Sequence, residues 1–258
     1  MIPDKKIVLF IVEGFNDETA LAVSLETLIS TDHIKFEITD GDVTSDFYGK
    51  DIAARVGDCV RNHCEKYNYS QDDFAEVVLL VDMDGVFIDN ASYQNNSDHS
   101  KPYYNKDKIL YNNPDKLIKS HENKRKNLSR LVLLSKVFRT IPFSVYFFSC
   151  NLDHVICGDA NLTKVLKHKE AVKFDMEYKN NPAGFITFFN TDDIITGSNY
   201  KDSWDYIKKD NNSLKRCSNF NIYLSPEAIR IPRDFSGLLA AAKKGEKNGK
   251  TQTNSSGH

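Results

Sequence analysis

The chain has 258 residues, of which 40% are hydrophobic and 27% charged, and its formal net charge is −2. This composition is that of an ordinary globular protein, and it excludes collagen-like, disulfide-rich and low-complexity chains. The apolar run near the start is too short to span a bilayer and the five cysteines have no CxxC spacing, so we expect a cytoplasmic protein with reduced thiols and no membrane attachment.

The first hundred residues alternate apolar strands with amphipathic helices. The continuous apolar run 6–12 predicts a buried parallel strand. After Gly14 the apolar residues recur at helical spacing, which predicts a helix with Asn16 as its N-cap. A strand at 34–38, a helix at 52–67 and a strand at 76–81 come next. This alternation predicts an α/β fold with a mainly parallel sheet flanked by helices.

The remainder of the chain is less regular. Residues 89–115 are rich in Asn, Asp, Ser and Tyr, which predicts an insertion or a long loop. A basic helix at about 116–138 and a strand at 143–149 follow, and apolar patches at 184–189 and 220–224 predict an α+β extension. The predicted division is a catalytic domain over 1–160 with an insertion over about 89–142, an extension over 161–240, and a disordered tail over 241–258. The final letters "SSGH" of that tail resemble the remnant of a purification tag.

Charge is unevenly distributed along the chain. Residues 1–100 carry 7 Lys/Arg against 20 Asp/Glu, whereas residues 101–142 carry 11 against 3. This asymmetry favours a protein that binds cations at one place and polyanions at another, although solvated surface would give the same counts. The candidate contacts to nucleic-acid phosphates are Lys116, Lys119, Lys124, Arg125, Lys126 and Arg130.

Two predicted strands end on acidic residues. Glu13 follows the first strand, and Asp82 and Asp84 follow the third, on the same side of an extended chain. Ligands of open α/β sheets bind at the carboxyl ends of the strands, and converging carboxylates repel one another unless a cation lies among them. Oxygen ligands suit Mg²⁺ or Mn²⁺. We therefore predict a metal site for phosphate chemistry, with Asp17 at its margin.

The segments "IVEGFNDETAL" and "VVLLVDMDGVF" together resemble the TOPRIM domain of topoisomerases, primases and overcoming-lysogenization-defect nucleases. The resemblance covers about the first 90 residues and implies a Rossmann-like TOPRIM fold. It implies that Glu13 is a general acid/base and metal ligand, that Asp82 and Asp84 hold Mg²⁺, and that Asp17 is the further acid of the nuclease branches. The separation between Glu13 and Asp82 is longer than in primase-type domains, which favours the standalone nucleases.

The same resemblance implies an activity. The expected function is a Mg²⁺-dependent endonuclease that cleaves DNA or RNA, as a toxic effector of bacterial antiphage defence beside an ATPase partner. Asp153 and His154, just after the fourth strand, are additional candidates for the site because the same sheet edge should carry them. A helix N-cap is the competing explanation for Asp153.

Two alternatives remain open at the sequence level. "LLVDMDGVFID" also resembles the first motif of haloacid-dehalogenase-type phosphatases, in which Asp82 would be the nucleophile. The other residues of that pattern would be Ser149, Lys164 or Lys167, Asp192 and Asp193. The second alternative is a non-catalytic nucleic-acid or protein-binding module whose acids only cap helices and turns.

Overall fold

The computed structural model describes residues 7–29, 34–39, 41–45, 49–197 and 199–225. The predicted tail over 241–258 lies outside the described residues. The strands are β1 (Ile7–Val12), β2 (Ile34–Ile38), β3 (Phe74–Asp82), β4 (Tyr93–Asn95), β5 (Tyr103–Tyr104), β6 (Ile109–Tyr111), β7 (Lys136–Val137) and β8 (Ile141–Phe148). The helices are α1 (Phe15–Ile29), α2 (Ile52–Tyr67), α3 (Pro114–Leu131), α4 (Leu152–Cys157), α5 (Lys164–Tyr178), α6 (Pro182–Phe189), α7 (Tyr200–Ile207) and α8 (Phe220–Tyr223).

A five-stranded sheet forms the centre of the molecule, with strand order β2-β1-β3-β8-β7. Its first four strands are parallel, and β7 pairs antiparallel with β8 at the edge. The prediction of an α/β fold with a mainly parallel sheet flanked by helices is confirmed, and the architecture is compatible with a Rossmann-like fold.

Each face of the sheet has its own hydrophobic core. Side chains alternate along β1, so Val8 and Phe10 pack with α1 while Leu9 and Ile11 pack with α2 and α3. All six residues of β1 are buried. A strand that is covered on both faces needs apolar residues at every position, which is why this run is continuous.

Helix α1 begins one residue earlier than its predicted cap. Because the helix starts at Phe15, Asn16 lies in the first turn and the N-cap prediction for it is wrong. Gly14 precedes the helix, and its backbone N–H donates a hydrogen bond to Oδ2 of Asp17 in the first turn at 2.9 Å. Leu21, Leu25, Leu28 and Ile29 form the buried apolar face of this helix.

The predicted loop over 89–115 contains a small sheet with strand order β4-β6-β5. Helix α3 then begins where Asn113 accepts a hydrogen bond from the N–H of Lys116, with Pro114 as its first residue. The helix ends at Leu131 rather than near 138. The predicted end is wrong because β7 and β8 form a hairpin, and Phe138 lies in its turn with a φ of 40°.

The described part of the extension consists of helices. The apolar patches at 184–189 and 220–224 form α6 and α8, and the only pairing beyond β8 found among the described residues consists of isolated bridges at Ser218. Helices α5, α6 and α8 share one hydrophobic cluster with β1 and α1. Among the described residues, no helix is long and apolar enough to cross a membrane.

Candidate active site

Acidic side chains follow three neighbouring strands at the carboxyl edge of the sheet. Glu13 comes directly after β1, Asp82 is the last residue of β3, and Asp42 lies four residues beyond β2. The Oε1 atom of Glu13 accepts a hydrogen bond from the backbone N–H of Asp82 at 3.3 Å. The structure therefore brings the two predicted motifs together.

The turn after β3 is tied to the end of β8, and this positions Asp84. The backbone N–H of Asp84 donates to the carbonyl of Cys150 at 2.8 Å, and Asp84 itself has a φ of 50°. The next residue, Gly85, has a φ of 67°, and a Cβ atom there would lie 2.5 Å from a methyl carbon of Leu214. Glycine is required because both the backbone conformation and the space exclude a larger residue.

Lys124 lies inside this group of acids. Its side chain is 2% exposed, and its Nζ is 2.6 Å from Asp84 Oδ2, 2.8 Å from Asp42 Oδ2 and 3.9 Å from Glu13 Oε1. Burial alone would lower the pKa of Lys124, but the three carboxylates outweigh burial and hold this pKa well above its usual value. The prediction that Lys124 contacts nucleic-acid phosphates is wrong, because the buried face of α3 delivers it to the carboxylates instead.

Sequence reasoning missed Asp42 and Tyr104. Burial acts to raise the pKa of Asp42, but the Lys124 charge and hydrogen bonds from Lys124, Thr44 and Ser45 lower it to about 2. The Tyr104 hydroxyl donates to Asp84 Oδ1 at 2.9 Å. The position of Asp42 shortly after the second predicted strand was a usable signal, whereas nothing in the sequence linked β5 to the site.

For the acids nearest to the end of β1, neighbouring positive charge does not outweigh the effect of burial on the pKa. Burial raises the pKa of Glu13 well above its usual value, and Lys124 only partly opposes this. Burial also raises the pKa of Asp82, and the charges of Glu13, Asp17 and Asp84 raise it further. Burial raises the pKa of Asp17 to about 6, although the hydrogen bond from Gly14 opposes the shift. Ionising these carboxylates together therefore requires additional positive charge.

The chemistry of this donor set fits a hard divalent cation. Glu13, Asp82 and Asp17 offer carboxylate oxygens, whereas Asp84, a predicted ligand, is held by Lys124 and Tyr104. Within the described ranges, no three Asp, Glu, His or Cys side chains are already arranged as a preformed metal site. The fit therefore rests on the oxygen donors and on their raised pKa values.

Helix α4 adds a further acid to the site. Asp153 is buried, and its Oδ2 lies 2.6 Å from Nζ of Lys167 on α5. The N-cap of α4 is Asn151, so the alternative explanation of Asp153 as a cap is wrong. His154 points elsewhere, since its Nδ1 is 3.3 Å from the carbonyl oxygen of Ser149. Burial lowers the pKa of His154.

The remaining basic residues of α3 differ in availability. Arg125 Nη1 donates to the carbonyl of Val86 at 2.9 Å, and Arg130 forms an ion pair with Asp51. The exposed lysines of this helix are Lys116, Lys119 and Lys126. These three remain the candidates for contacts with a polyanion.

Two residues of the phosphatase pattern, Ser149 and Asp193, have partners outside the site. Ser149 is completely buried, and its Oγ donates to the carbonyl of Ser213 at 3.0 Å. Asp193 forms an ion pair with Arg216. Lys164 and Lys167 are the members of that pattern which line a cavity together with Asp82.

Two cavities meet at the carboxylates. One, of about 630 Å³, contains Glu13 and Asp17, and the other, of about 580 Å³, contains Asp84 and Tyr104. Both are lined by Asp82, Lys164 and Lys167. The two cavities therefore adjoin at these three residues, and we call the pair of them the groove.

Comparison with known proteins adds no relative. A scan against protein-family models, a search of curated proteins and a search of solved structures each gave no match to this chain.

Proposed function

We propose that this protein is a TOPRIM-like, Mg²⁺- or Mn²⁺-dependent nuclease that cleaves phosphodiester bonds in DNA or RNA. The observation that carries the proposal is the contact between Glu13 and the backbone of Asp82 at the ends of two adjacent parallel strands. Both carboxyl groups have raised pKa values and line an open groove. Asp82 also accepts a hydrogen bond from the N–H of Leu152 at the start of α4, but this contact gives no reason for the presence of Glu13 beside it.

Each group has a defined chemical capacity. Glu13, whose pKa is raised by burial, can accept a proton from an attacking water at its carboxylate and return it to the leaving oxygen. Lys124 supplies a fixed positive charge beside Glu13 and Asp84. Asp82 and Glu13, with Asp17, would hold the divalent cation, which supplies charge neutralisation at the phosphate. Lys167 stands beside Asp153 at the junction of the two cavities and can orient a phosphate.

The test is cleavage of single-stranded and duplex DNA and of RNA, each with and without Mg²⁺ or Mn²⁺. General acid/base groups contribute roughly 10²–10⁴-fold, so Glu13→Gln should lower the cleavage rate by about that factor. Asp82→Asn should do the same. Glu18→Gln on α1 and the exposed Asp89→Asn are the matched controls and should cleave like the wild type.

The same assay separates the alternatives. Phosphomonoester hydrolysis that survives Glu13→Gln, without cleavage of nucleic acid by the wild type, would establish the phosphatase in place of the nuclease. Metal-independent binding of nucleic acid without any hydrolysis would establish a binding module. Identical loss of cleavage in Glu13→Gln and Asp82→Asn, with intact folding, supports one shared site.

A further inference from the structure

Aromatic rings lie at both ends of the groove that contains the carboxylates. At one end, the Phe15 ring stacks on His168, with ring centroids 6.2 Å apart and planes inclined by 26°. At the other end, the Tyr103 ring stacks on His99, with centroids 4.6 Å apart and planes inclined by 23°. Phe15 and His168 line one cavity, and His99 and Tyr103 line the other.

These rings are open to solvent. Phe15 is 62% exposed and Tyr103 is 40% exposed. Single exposed apolar residues are common on proteins and need no explanation. Leu133, which is 85% exposed and lines neither cavity, is such a case. Phe15 and Tyr103 differ because each is paired with an imidazole ring and each lines the groove on one side of Asp82.

The first ring pair is held in position by the site itself. Asn16 Oδ1 is 3.2 Å from Nδ1 of His168, which links the first turn of α1 to α5. The same turn carries Asp17, which connects this ring pair to the carboxylates. The second pair is tied to the site through Tyr104, the neighbour of Tyr103, whose hydroxyl donates to Asp84.

Positive charge lies between the two ring pairs. Lys164 and Lys167 line both cavities, and Lys101 lines the cavity that contains Tyr103. A groove with lysines along its length and aromatic rings at intervals is the arrangement that binds an unpaired nucleic-acid strand, because lysines contact phosphates while bases stack on the rings. The bases of a duplex already have both faces covered by their neighbours and cannot use such rings.

We propose that the substrate is a single-stranded or locally unpaired segment of nucleic acid, in which the bases on either side of the scissile phosphate stack on Phe15/His168 and Tyr103/His99. This inference rests on the proposed nuclease function, because that function places the scissile phosphate at Asp82. Single-stranded DNA and single-stranded RNA both present unpaired bases, and the test measures the binding of each separately.

The test is equilibrium binding by the full chain in EDTA, where cleavage does not occur. The probes are mixed-sequence single strands of about 12 nucleotides, within the site sizes of single-strand grooves, as DNA, as RNA and as the corresponding duplexes. Stacking on an aromatic ring contributes about 1–3 kcal/mol per base, so Phe15→Ala and Tyr103→Ala should each weaken single-strand binding by roughly 5- to 150-fold. Duplex binding should be weaker than single-strand binding and unaffected by either change.

Matched variants isolate the stacking. Tyr103→Phe and Phe15→Trp keep a ring and should retain binding, and Leu133→Ala should bind like the wild type. A 2-aminopurine base next to the central phosphate should be quenched by wild-type protein and not by the two alanine variants. Thermal melts establish that the variants are folded, as their exposure predicts.

The outcomes distinguish this inference from the function on which it rests. Cleavage that depends on Glu13 and Asp82 but prefers duplexes, with both alanine variants fully active, overturns the inference and keeps the nuclease. Ring-dependent single-strand binding by a protein that cleaves nothing keeps the inference about the ligand and overturns the nuclease. Equal binding of all probes by wild type and both alanine variants overturns the inference.

Discussion

Lys124 is the residue whose position alters the interpretation of the site most. A lysine in a run of basic residues on a polar helix is expected at the surface, yet its side chain is 2% exposed and is surrounded by Asp84, Asp42 and Glu13. Its helical spacing with the buried residues Leu117, His121 and Leu128 was the available signal. The sequence indicated Glu13 and Asp84 as site acids, but it did not show that Lys124 lies between them.

Replacing Lys124 by Met should destabilise the fold. Removing one partner of a buried ion pair typically costs about 3–5 kcal/mol, because the remaining charges stay buried without compensation. We expect a loss of that size by urea unfolding at pH 8 and a smaller loss at pH 5, where the carboxylates can take up protons. Lys126→Met, two residues away and exposed, should change the free energy of unfolding by less than about 0.5 kcal/mol. Equal effects of the two substitutions would contradict the buried network.

Asp82→Asn should have the opposite effect on stability. A carboxyl group whose pKa is raised in the folded state binds more protons when folded, so its charge costs stability as the pH rises above its unfolded value. At pH 8 in EDTA, we therefore expect the Asn variant to melt at a higher temperature than the wild type, by about 2–4 °C for each kcal/mol gained. Asn retains an oxygen for the hydrogen bond from the N–H of Leu152.

The second half of this prediction concerns the cation. Mg²⁺ or Mn²⁺ should raise the melting temperature of the wild type, because a ligand that binds only the folded state stabilises it. The same addition should not affect Asp82→Asn. The exposed Asp89→Asn should respond to the cation like the wild type, and a wild type that does not respond would count against the proposed metal site.

At the scale of elements, the central strands and helices were the predictable part. Continuous apolar runs identified β1 and β3, and the helical period identified α1 and α2, because both patterns follow from burial. The small sheet β4-β6-β5 was not predicted, because its strands have two or three residues each and only two of their eight residues are buried. Helices α6 and α8 were also missed, since short apolar segments do not distinguish a buried helix from a strand.

The turn after β3 allows a prediction about the stability of glycine variants. Gly85→Ala combines a φ of 67° with a Cβ atom 2.5 Å from Leu214, so both backbone strain and overpacking oppose it. Gly158 is the matched control, because its φ is 82° and nothing lies within 4 Å of an added Cβ. We expect a loss of about 1 kcal/mol for Gly158→Ala and about 3 kcal/mol for Gly85→Ala in urea unfolding. Equal losses would mean that Leu214 moves aside at no cost.

A buried histidine in the insertion predicts how the stability of the fold depends on pH. His121 on α3 is buried beside the hydroxyl of Tyr93, with Nδ1 at 2.8 Å, and burial lowers the pKa of His121 to about 4. The unfolded chain, in which a histidine titrates near 6.5, then binds more protons between pH 6.5 and 4. Stability is therefore fully present above pH 6.5 and falls as the pH falls through this window, by up to about 3 kcal/mol.

The measurement is the slope of unfolding free energy against pH. His121→Gln, which remains neutral, should flatten the slope between pH 7 and 4.5, whereas His168→Gln at an exposed position should leave it unchanged. An unchanged slope in His121→Gln would assign the acid sensitivity to other groups.

At the scale of the whole molecule, the acids of the first hundred residues and the basic residues of the following segment lie largely on two different surfaces. Most acids at the strand ends face the groove, whereas the exposed lysines of α3 face solvent. At about 100° per residue, Lys116, Lys119 and Lys126 fall within an arc of about 80° on one side of the helix. Uneven charge along a sequence indicated that two such surfaces exist, but only the fold separates the buried lysine from the exposed ones.

The three exposed lysines of α3, Lys116, Lys119 and Lys126, predict how nucleic-acid binding depends on salt. Each lysine that neutralises a phosphate releases counterions and contributes about 0.7 to the slope of log affinity against log salt for a single strand. Replacing Lys116, Lys119 and Lys126 together by Ala should therefore reduce the slope by up to about 2 and weaken binding most at low salt. The matched control is Lys201, Lys208 and Lys209→Ala, which removes the same charge from exposed positions in and just after α7. If both triple variants change the slope equally, only net charge matters; if the α3 variant alone changes it, the polyanion lies along this helix.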